Sequence, residues 1–259
     1  LEKFFGKVSL RKKNGNLQGL SPEGEELARI AENFLTSMQG FQDRIHGIKP
    51  SINIGAGETF LTSVLLPNFS NLKRISTGIR INLCNLRSSD LSKSLDSGET
   101  DLIIVSEKRL GRNERRLYLG RLNYKLYAPL TWDKLKKYQK EPLSMICNEP
   151  YASLSGSGKR RSHIEQIVDS KIGKTPNYEL ECSSLIEVLQ AVKSNCFCGI
   201  LPTFLAKDLP LKHYKHITIK ELTEMHGKLA IAWKKETSHF KPEIQSVAKE
   251  IQIIFKKIS

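Results

Sequence analysis

Two short loops rich in glycine, serine and threonine have the residue types that bind small anions. Residues 55–59 are Gly-Ala-Gly-Glu-Thr and residues 153–158 are Ser-Leu-Ser-Gly-Ser-Gly, and a helix-like segment follows each. Backbone N–H groups at a helix start, together with hydroxyls, suit a carboxylate or another anion. The residues predicted here to contact a small molecule are Gly57, Glu58, Thr59, Ser153, Ser155, Gly156 and Ser157. Ordinary turn and capping chemistry is the alternative, since it uses the same residue types.

The serine-rich loop does not have the pattern of a catalytic nucleophile. Residues 155–158 lack the Gly-x-Ser-x-Gly frame of a nucleophile elbow, and no evident acid–base partner follows. The chain also lacks a Walker-type phosphate loop and a dinucleotide fingerprint. We therefore expect no enzymatic activity and no cofactor. Glu58 would repel an anionic ligand unless its side chain points outward.

Histidines and cysteines lack the spacing of a zinc site, so no metal is expected. An odd number of cysteines, five, without a visible secretory signal indicates a reducing cytoplasm and no disulfide framework. Cys196 and Cys198 are the closest pair and would share one face of a strand. Flanking Phe197 and Ile200 predict burial, which makes thiols inert and disfavours redox sensing.

The net charge of +14 favours phosphate-rich partners such as nucleic acid. Because the lysines and arginines are scattered along the chain, a generally basic, solvated surface is an equal alternative. No apolar stretch approaches the roughly 20 residues of a membrane-spanning helix. We expect a cytoplasmic protein that does not enter a membrane.

The elements that would position the two loops alternate between strand and helix, which predicts an α/β fold with parallel sheets. The first unit is predicted as strand 51–55, helix 59–72, strand 78–85, helix 88–97 and strand 101–105, then two strand-like runs within 116–129. The second is predicted as strand 143–147, helix 161–170, strand 178–182, helix 184–194 and strand 197–201. A late strand at 229–233 and a helix at 242–258 could return to the first unit.

A heptad pattern marks the helix ahead of these units. Ser21 suits the helix cap and Pro22 the first helical position. The apolar residues that follow alternate steps of four and three: Leu27, Ala31, Phe34, Met38, Phe41 and Ile45. Such a seam predicts pairing with a partner helix, and packing on its own domain is the alternative.

The first 20 residues form a small basic segment. Asn14-Gly15 between two short, partly apolar runs indicates a hairpin. Arg11, Lys12 and Lys13 lie in it and make it basic.

The order of these segments resembles the LysR-type transcription regulators. Leu20-Ser21-Pro22-Glu23-Gly24 is similar to the start of the family's linker helix, with serine in place of the usual threonine. Leu65-Leu66-Pro67, the run Leu95 to Gly98 with Asp101-Leu102, and Gly199-Ile200-Leu201-Pro202 are similar to motifs of its effector domain. Each motif is weak alone, but their order and spacing together are specific, and the resemblance covers essentially the whole chain.

The resemblance implies two Rossmann-like α/β subdomains joined by crossover strands, of the periplasmic-binding-protein type II, behind a dimerisation helix and a remnant of a winged helix-turn-helix. The domains so predicted are the wing remnant at 1–20, the linker helix at 21–48, effector subdomain I at 49–126 and 227–259, and subdomain II at 127–226. The family's cleft contacts add Asn85, Arg87, Gly199 and Pro202 to the effector-binding residues. Dimers or tetramers that bind promoter DNA and a small-molecule effector are implied as well. As the remnant of the family's wing, Arg11, Lys12 and Lys13 are predicted to contact DNA phosphate, which positions a protein without specifying sequence.

The N-terminal segment departs from the family pattern. About 20 residues ahead of the linker helix are too few for a three-helix DNA reader with helices of typical length. These 259 residues are therefore expected to bind DNA weakly and without sequence preference. A free-standing solute-binding protein remains the alternative function.

Overall fold

A 24-residue helix, α1 (Pro22–Ile45), precedes the two sheets in a computed structural model of the protein. The structure describes residues 4, 19–47, 49–111, 113–156, 159–210, 212–220, 222 and 227–258. The Ser21 hydroxyl accepts the Gly24 backbone N–H at 3.1 Å, which confirms Ser21 as the helix cap. Within the described residues, no helix combines the length and the apolar character needed to cross a membrane.

The first unit follows the predicted order of strands and helices. Its elements are β1 (Ser51–Ala56), α2 (Glu58–Phe60), α3 (Phe69–Ile75), β2 (Arg80–Asn85), α4 (Leu91–Ser97), β3 (Leu102–Ser106) and β4 (Glu114–Arg121). The helix predicted at 59–72 is interrupted by a π turn at Leu61–Leu65 and a 3-10 turn at Leu66–Asn68. Pro67 lies at this interruption, and proline cannot donate the backbone hydrogen bond of a regular α-helix.

The second unit begins directly after β4. It contains β5 (Tyr124–Pro129), α5 (Leu143–Asn148), β6 (Tyr151–Leu154), α6 (Lys159–Ile172), β7 (Tyr178–Cys182), α7 (Leu185–Lys193), β8 (Cys198–Pro202) and β9 (Tyr214–Ile217). The chain ends with β10 (Lys228–Lys234), α8 (Thr237–Phe240) and α9 (Ile244–Ile258).

Among the residues that the structure describes, two five-stranded sheets with related strand orders form the body of the protein. The first has the order β2-β1-β3-β10-β4 and the second β7-β6-β8-β5-β9. In each sheet the first three strands are parallel and the fourth is antiparallel to its neighbours. β10 lies between β3 and β4, which confirms that the late strand returns to the first unit. The two-subdomain α/β fold of the periplasmic-binding-protein type II is thus present.

Helices cover both faces of each sheet. In β3, Leu102 and Ile104 pack into the core under α3 and α9, whereas Ile103 and Val105 pack with Leu91 of α4 on the opposite face. In β8, Leu201 packs on the α7 side, and Cys198 and Ile200 pack with α5 and α6. This alternation is the period of two expected for strands buried on both faces.

The strand predicted at 143–147 is wrong, because these residues form helix α5. Pro142 immediately precedes the helix, and Leu143, Met145 and Ile146 are buried on one side of it. A five-residue, mostly apolar run fits a strand and a short buried helix equally well, so periodicity alone could not separate them. The strand of this region is β6, which follows Pro150.

In its described part the chain crosses between the sheets from β4 to β5 and again from β9 to β10. β5 lies wholly in the second sheet, so the first crossing falls at 122–123, a few residues ahead of the boundary expected after 126. The second crossing falls between 217 and 228, which includes the expected boundary at 227.

Three phenylalanines connect the two units. The ring of Phe204, just after β8, is centred 6.3 Å from Phe60 of α2 and 5.8 Å from Phe255 of α9. Phe60 and Phe255 stack at 5.6 Å. One continuous apolar core therefore runs from the first sheet to the α7 face of the second.

Candidate functional site

A small cavity lies at the carboxyl end of β6, where the starts of α6 and α7 meet. Its volume is about 80 Å³. The lining residues are Tyr151, Ser153, Leu154, Ser155, Gly156, Arg161, Ile164, Leu185, Val188 and Ile200. The carboxyl ends of strands in open α/β sheets are the usual place for ligands, so this is the candidate effector site.

Backbone contacts fix the conformation of the loop after β6. The Ser155 N–H donates to the Cys182 carbonyl at 2.7 Å, which ties the loop to the end of β7. Gly156 has φ +84°, a left-handed conformation that favours glycine. Ser153 is buried and Ser155 is exposed, so their hydroxyls lie at two depths of the same cavity wall.

Arg161 of α6 carries the positive charge in this lining, and two carboxylates already bind it. Its Nε donates to Glu165 at 3.0 Å and its guanidinium donates to Glu181 at 2.7 Å. The guanidinium also lies 4.1 Å from the ring centroid of Tyr178. The hydrogen bonds to Glu165 and Glu181 raise the pKa of Arg161, and the bond from Arg161 lowers the pKa of Glu165. A small anion would therefore meet a guanidinium whose charge Glu165 and Glu181 already compensate.

The predicted loops of the first sheet share an edge of their own. β1 and β2 are parallel with Ala56 opposite Asn85, and the Leu86 N–H donates to the Ala56 carbonyl at 3.0 Å. Gly57, Thr59 and Asn85 therefore lie along one edge. Glu58 and Arg87 are exposed in the following segments. None of these five residues lines the small cavity, and the described residues that line it all belong to the second unit.

Gly199 and Pro202, both on β8, have different surroundings. A Cβ added at Gly199 would lie 2.9 Å from the side chains of both Val188 and Val192, so the glycine allows α7 to approach the sheet closely. Its position indicates helix packing. Pro202 ends β8 opposite Tyr124, two residues before Phe204, at the contact between the two units.

Arg161 and Leu185 line the cavity but were not among the predicted contact residues. Arg161 is near the start of α6 and Leu185 is the first residue of α7. Because β6 and β7 are parallel with Leu154 opposite Cys182, the helices that follow both strands begin at the same edge. The sequence prediction did not contain this signal, because it placed the strand of this region at 143–147.

The heptad positions of α1 are largely solvent-exposed in the single chain. Phe34 is 62% exposed, Met38 43%, Phe41 51% and Ile45 65%. Leu27 is half-buried and Ala31 is exposed. Ser157 and the basic residues Arg11, Lys12 and Lys13 lie outside the described residues.

The described cysteines are free, and Cys196 and Cys198, the pair closest in sequence, differ in burial. Cys196 is exposed, whereas Cys198 is buried in β8, and burial raises the pKa of its thiol. A raised pKa suppresses the reactive thiolate. Among the described residues, no three His, Cys, Asp or Glu side chains gather as metal ligands.

Residues 46–248 match the family model of the LysR substrate binding domain. The chain belongs to this family. The match covers both sheets and the cavity, so the small cavity lies within a LysR effector domain. No curated protein sequence matches the chain.

Solved structures of LysR-family regulators share the fold. A full-length OxyR variant from Pseudomonas aeruginosa is 19% identical, with a TM-score of 0.64 over 97% of this chain and 82% of that one. HinK from Pseudomonas aeruginosa is 21% identical, with a TM-score of 0.60 over 97% and 84%. The BenM effector binding domain with its effector benzoate is 18% identical, with a TM-score of 0.59 over 81% and 93%. At these identities the likeness concerns the fold.

Proposed function

We propose that the protein is a transcription regulator that binds a small organic effector at the carboxyl ends of β6 and β7, pairs through α1 and contacts promoter DNA through its N-terminal segment. The observation that carries the proposal is the cavity between the starts of α6 and α7, inside a LysR effector domain. It combines two serine hydroxyls with an apolar wall, the usual composition of a small-molecule site.

The proposed effector has an apolar part and a polar group. Ile164, Leu185 and Ile200 offer the apolar contacts, and Ser153 with Ser155 offers hydroxyls. A volume of about 80 Å³ holds only part of a metabolite, so we propose that the subdomains move when the effector binds. The first-sheet residues Gly57, Glu58, Thr59, Asn85 and Arg87, together with Pro202, are proposed to complete the site.

An anionic effector would have to compete with Glu181 for the guanidinium of Arg161. This carboxylate is 45% exposed while it binds Arg161, so a ligand carboxylate could replace it at low cost. An anionic effector is therefore proposed to displace Glu181 and to take its place on the guanidinium. Glu181→Gln should then strengthen the binding of an anionic ligand, and a neutral ligand should gain nothing.

A thermal-shift screen of small carboxylates and amino acids tests the proposal. A ligand at one hundred times its dissociation constant stabilises the native state by about 2.7 kcal/mol. Ser155→Glu should abolish the shift, because it places a charge in the cavity wall. Ser170→Glu, on the exposed far end of α6, is the matched control and should leave it intact. A ligand that stabilises both variants equally would place its site elsewhere.

DNA contact is proposed for Arg11, Lys12 and Lys13. Each phosphate contact adds about 0.9 to the slope of log affinity against log salt. Replacing all three by glutamine should therefore lower this slope by nearly three, measured by fluorescence anisotropy with a duplex. An unchanged slope would exclude these contacts. Weak binding without sequence preference by these 259 residues stays a prediction.

A further inference from the structure

A second and larger cavity lies on the first unit, between the end of α3, the start of β2 and the segment that follows α1. Its volume is about 430 Å³, within the range of small-molecule pockets. Three cations, Lys49, Lys73 and Arg80, line it together with the apolar side chains of Phe69, Ile79 and Ile81.

The backbone brings the three cations together from separate segments. The Arg80 N–H donates to the Pro50 carbonyl at 2.8 Å, which holds the start of β2 beside the residue that follows Lys49. Gly78, with φ +82°, turns the chain from α3 into β2 and returns Arg80 toward Lys73. This convergence is therefore a product of the fold.

None of the three cations forms an ion pair with a carboxylate among the described residues. A positive residue in the last turn of a helix is common, because it complements the helix dipole, and this accounts for Lys73. It does not account for Lys49 or Arg80, which lie outside the helix. Three like charges around one cavity repel each other, so an anion there would be stabilised by all of them.

The floor of the cavity is apolar, and the hydroxyl in its lining is already hydrogen-bonded within the protein. Ile79 is buried, and Phe69 and Ile81 are half-buried and pack on the main core. The Ser76 hydroxyl, also in the lining, already donates to the Leu72 carbonyl at 2.7 Å. A ligand therefore meets an apolar floor and cationic walls.

We propose that this cavity is a second ligand site, which binds an organic anion with an apolar body, such as an aliphatic carboxylate. A DNA phosphate fits it less well, because a phosphate has no apolar part to cover Phe69, Ile79 and Ile81. The cavity is at the amino end of β2, about 16 Å along the strand from Asn85 and the proposed effector loops. Lys49 lies between α1 and β1, so the bound anion would join the linker to the effector domain.

Calorimetric titration of the full chain with octanoate tests the site. Two further probes each keep one feature of octanoate: 1-octanol has the apolar chain without the charge, and inorganic phosphate has the charge without the apolar chain. Octanoate should bind saturably at millimolar concentrations or below, and more weakly as salt rises. Octanol and phosphate should bind at least about tenfold more weakly. No saturable octanoate binding, or equal binding of octanol, overturns the proposal.

Charge variants locate the binding. Lys73→Gln with Arg80→Gln should weaken octanoate at least about tenfold. The control pair, Lys93→Gln with Lys249→Gln, removes the same charge at two exposed positions on other helices. This pair should change the affinity for octanoate little. Equal effects of the two variant pairs on octanoate affinity would overturn the proposal. It would also be overturned if the Lys73 and Arg80 variant lost DNA affinity while octanoate binding stayed intact. Ser155→Glu should leave octanoate binding unchanged, since the two sites are separate.

Discussion

Lys241 binds both carboxylate oxygens of Asp101, with its Nζ 2.8 Å from each. The Asp101 side chain is 5% exposed, and it also accepts the backbone N–H of Asn53 at 2.8 Å. Asp101 immediately precedes β3, Asn53 lies in β1, and Lys241 lies three residues before α9. The carboxylate therefore joins two central strands to the C-terminal helix. Asp101 is part of a motif that suggested the family, and its role in this structure is architectural.

Asp101→Asn should lower the free energy of unfolding by about 3 kcal/mol, because it leaves the Lys241 ammonium beside a neutral group in a largely buried place. Urea unfolding measures the change. Asp96→Asn, at an exposed position of α4, is the control and should shift stability by less than about 0.5 kcal/mol. Adding Lys241→Met to Asp101→Asn should recover part of the loss, since no unpaired charge remains. Equal midpoints for the two single variants would show that the ion pair is dispensable.

The order of strands and helices was predictable because apolar runs flanked by polar turns mark buried strands, as at β3 and β8. The register of strand pairing and the points where the chain crosses between the sheets were not predictable from the sequence. β5 was divided by the expected boundary, since nothing in its residues shows which sheet its neighbours belong to. Residues 143–148 have the same apolar content as a strand and became a helix after Pro142.

The candidate site was only partly predictable. The loop at 153–156 was identified from its small residues, and it does line the cavity. Arg161 and Leu185 join it only because β6 and β7 end together, which is a property of pairing. Gly199 was assigned to the effector from a motif, and its contact with Val188 and Val192 depends on how closely α7 approaches β8, which no local pattern reports.

Gly199→Ala should lower stability by about 1–3 kcal/mol, because the new methyl group would lie 2.9 Å from two valine side chains that are themselves packed in the core. Gly40→Ala in α1 has no heavy atom within 4 Å of the added Cβ and should not lower the urea midpoint. Equal midpoints for Gly199→Ala and the wild type would mean that α7 can shift without cost. A stable Gly199→Ala protein that loses effector binding would restore the glycine to the effector site.

Tyr138 should contribute to a fall in stability between pH 10 and 12. Its hydroxyl donates to Glu149 at 2.5 Å, and burial followed by this hydrogen bond raises its pKa to about 12. An unfolded chain loses the phenolic proton near pH 10, whereas the native protein keeps it, so unfolding becomes more favourable across this interval. Urea midpoints measured across it should fall less steeply for Tyr138→Phe. Tyr118→Phe, at an exposed tyrosine, should keep the wild-type dependence; a Tyr138→Phe protein with the same slope would contradict the assignment.

Exposed apolar residues on α1 predict that the chain pairs through this helix. Phe34 and Met38 lie one turn apart on the heptad face, and covering them removes apolar surface from water. Phe34→Glu with Met38→Glu should convert dimers to monomers in size-exclusion chromatography with light scattering. Arg29→Glu changes the net charge by the same two units on the opposite face and should leave the dimer intact. Dimers that survive the double variant would place the interface elsewhere, and a wild-type monomer that still binds an effector would favour the solute-binding alternative, which needs no partner helix.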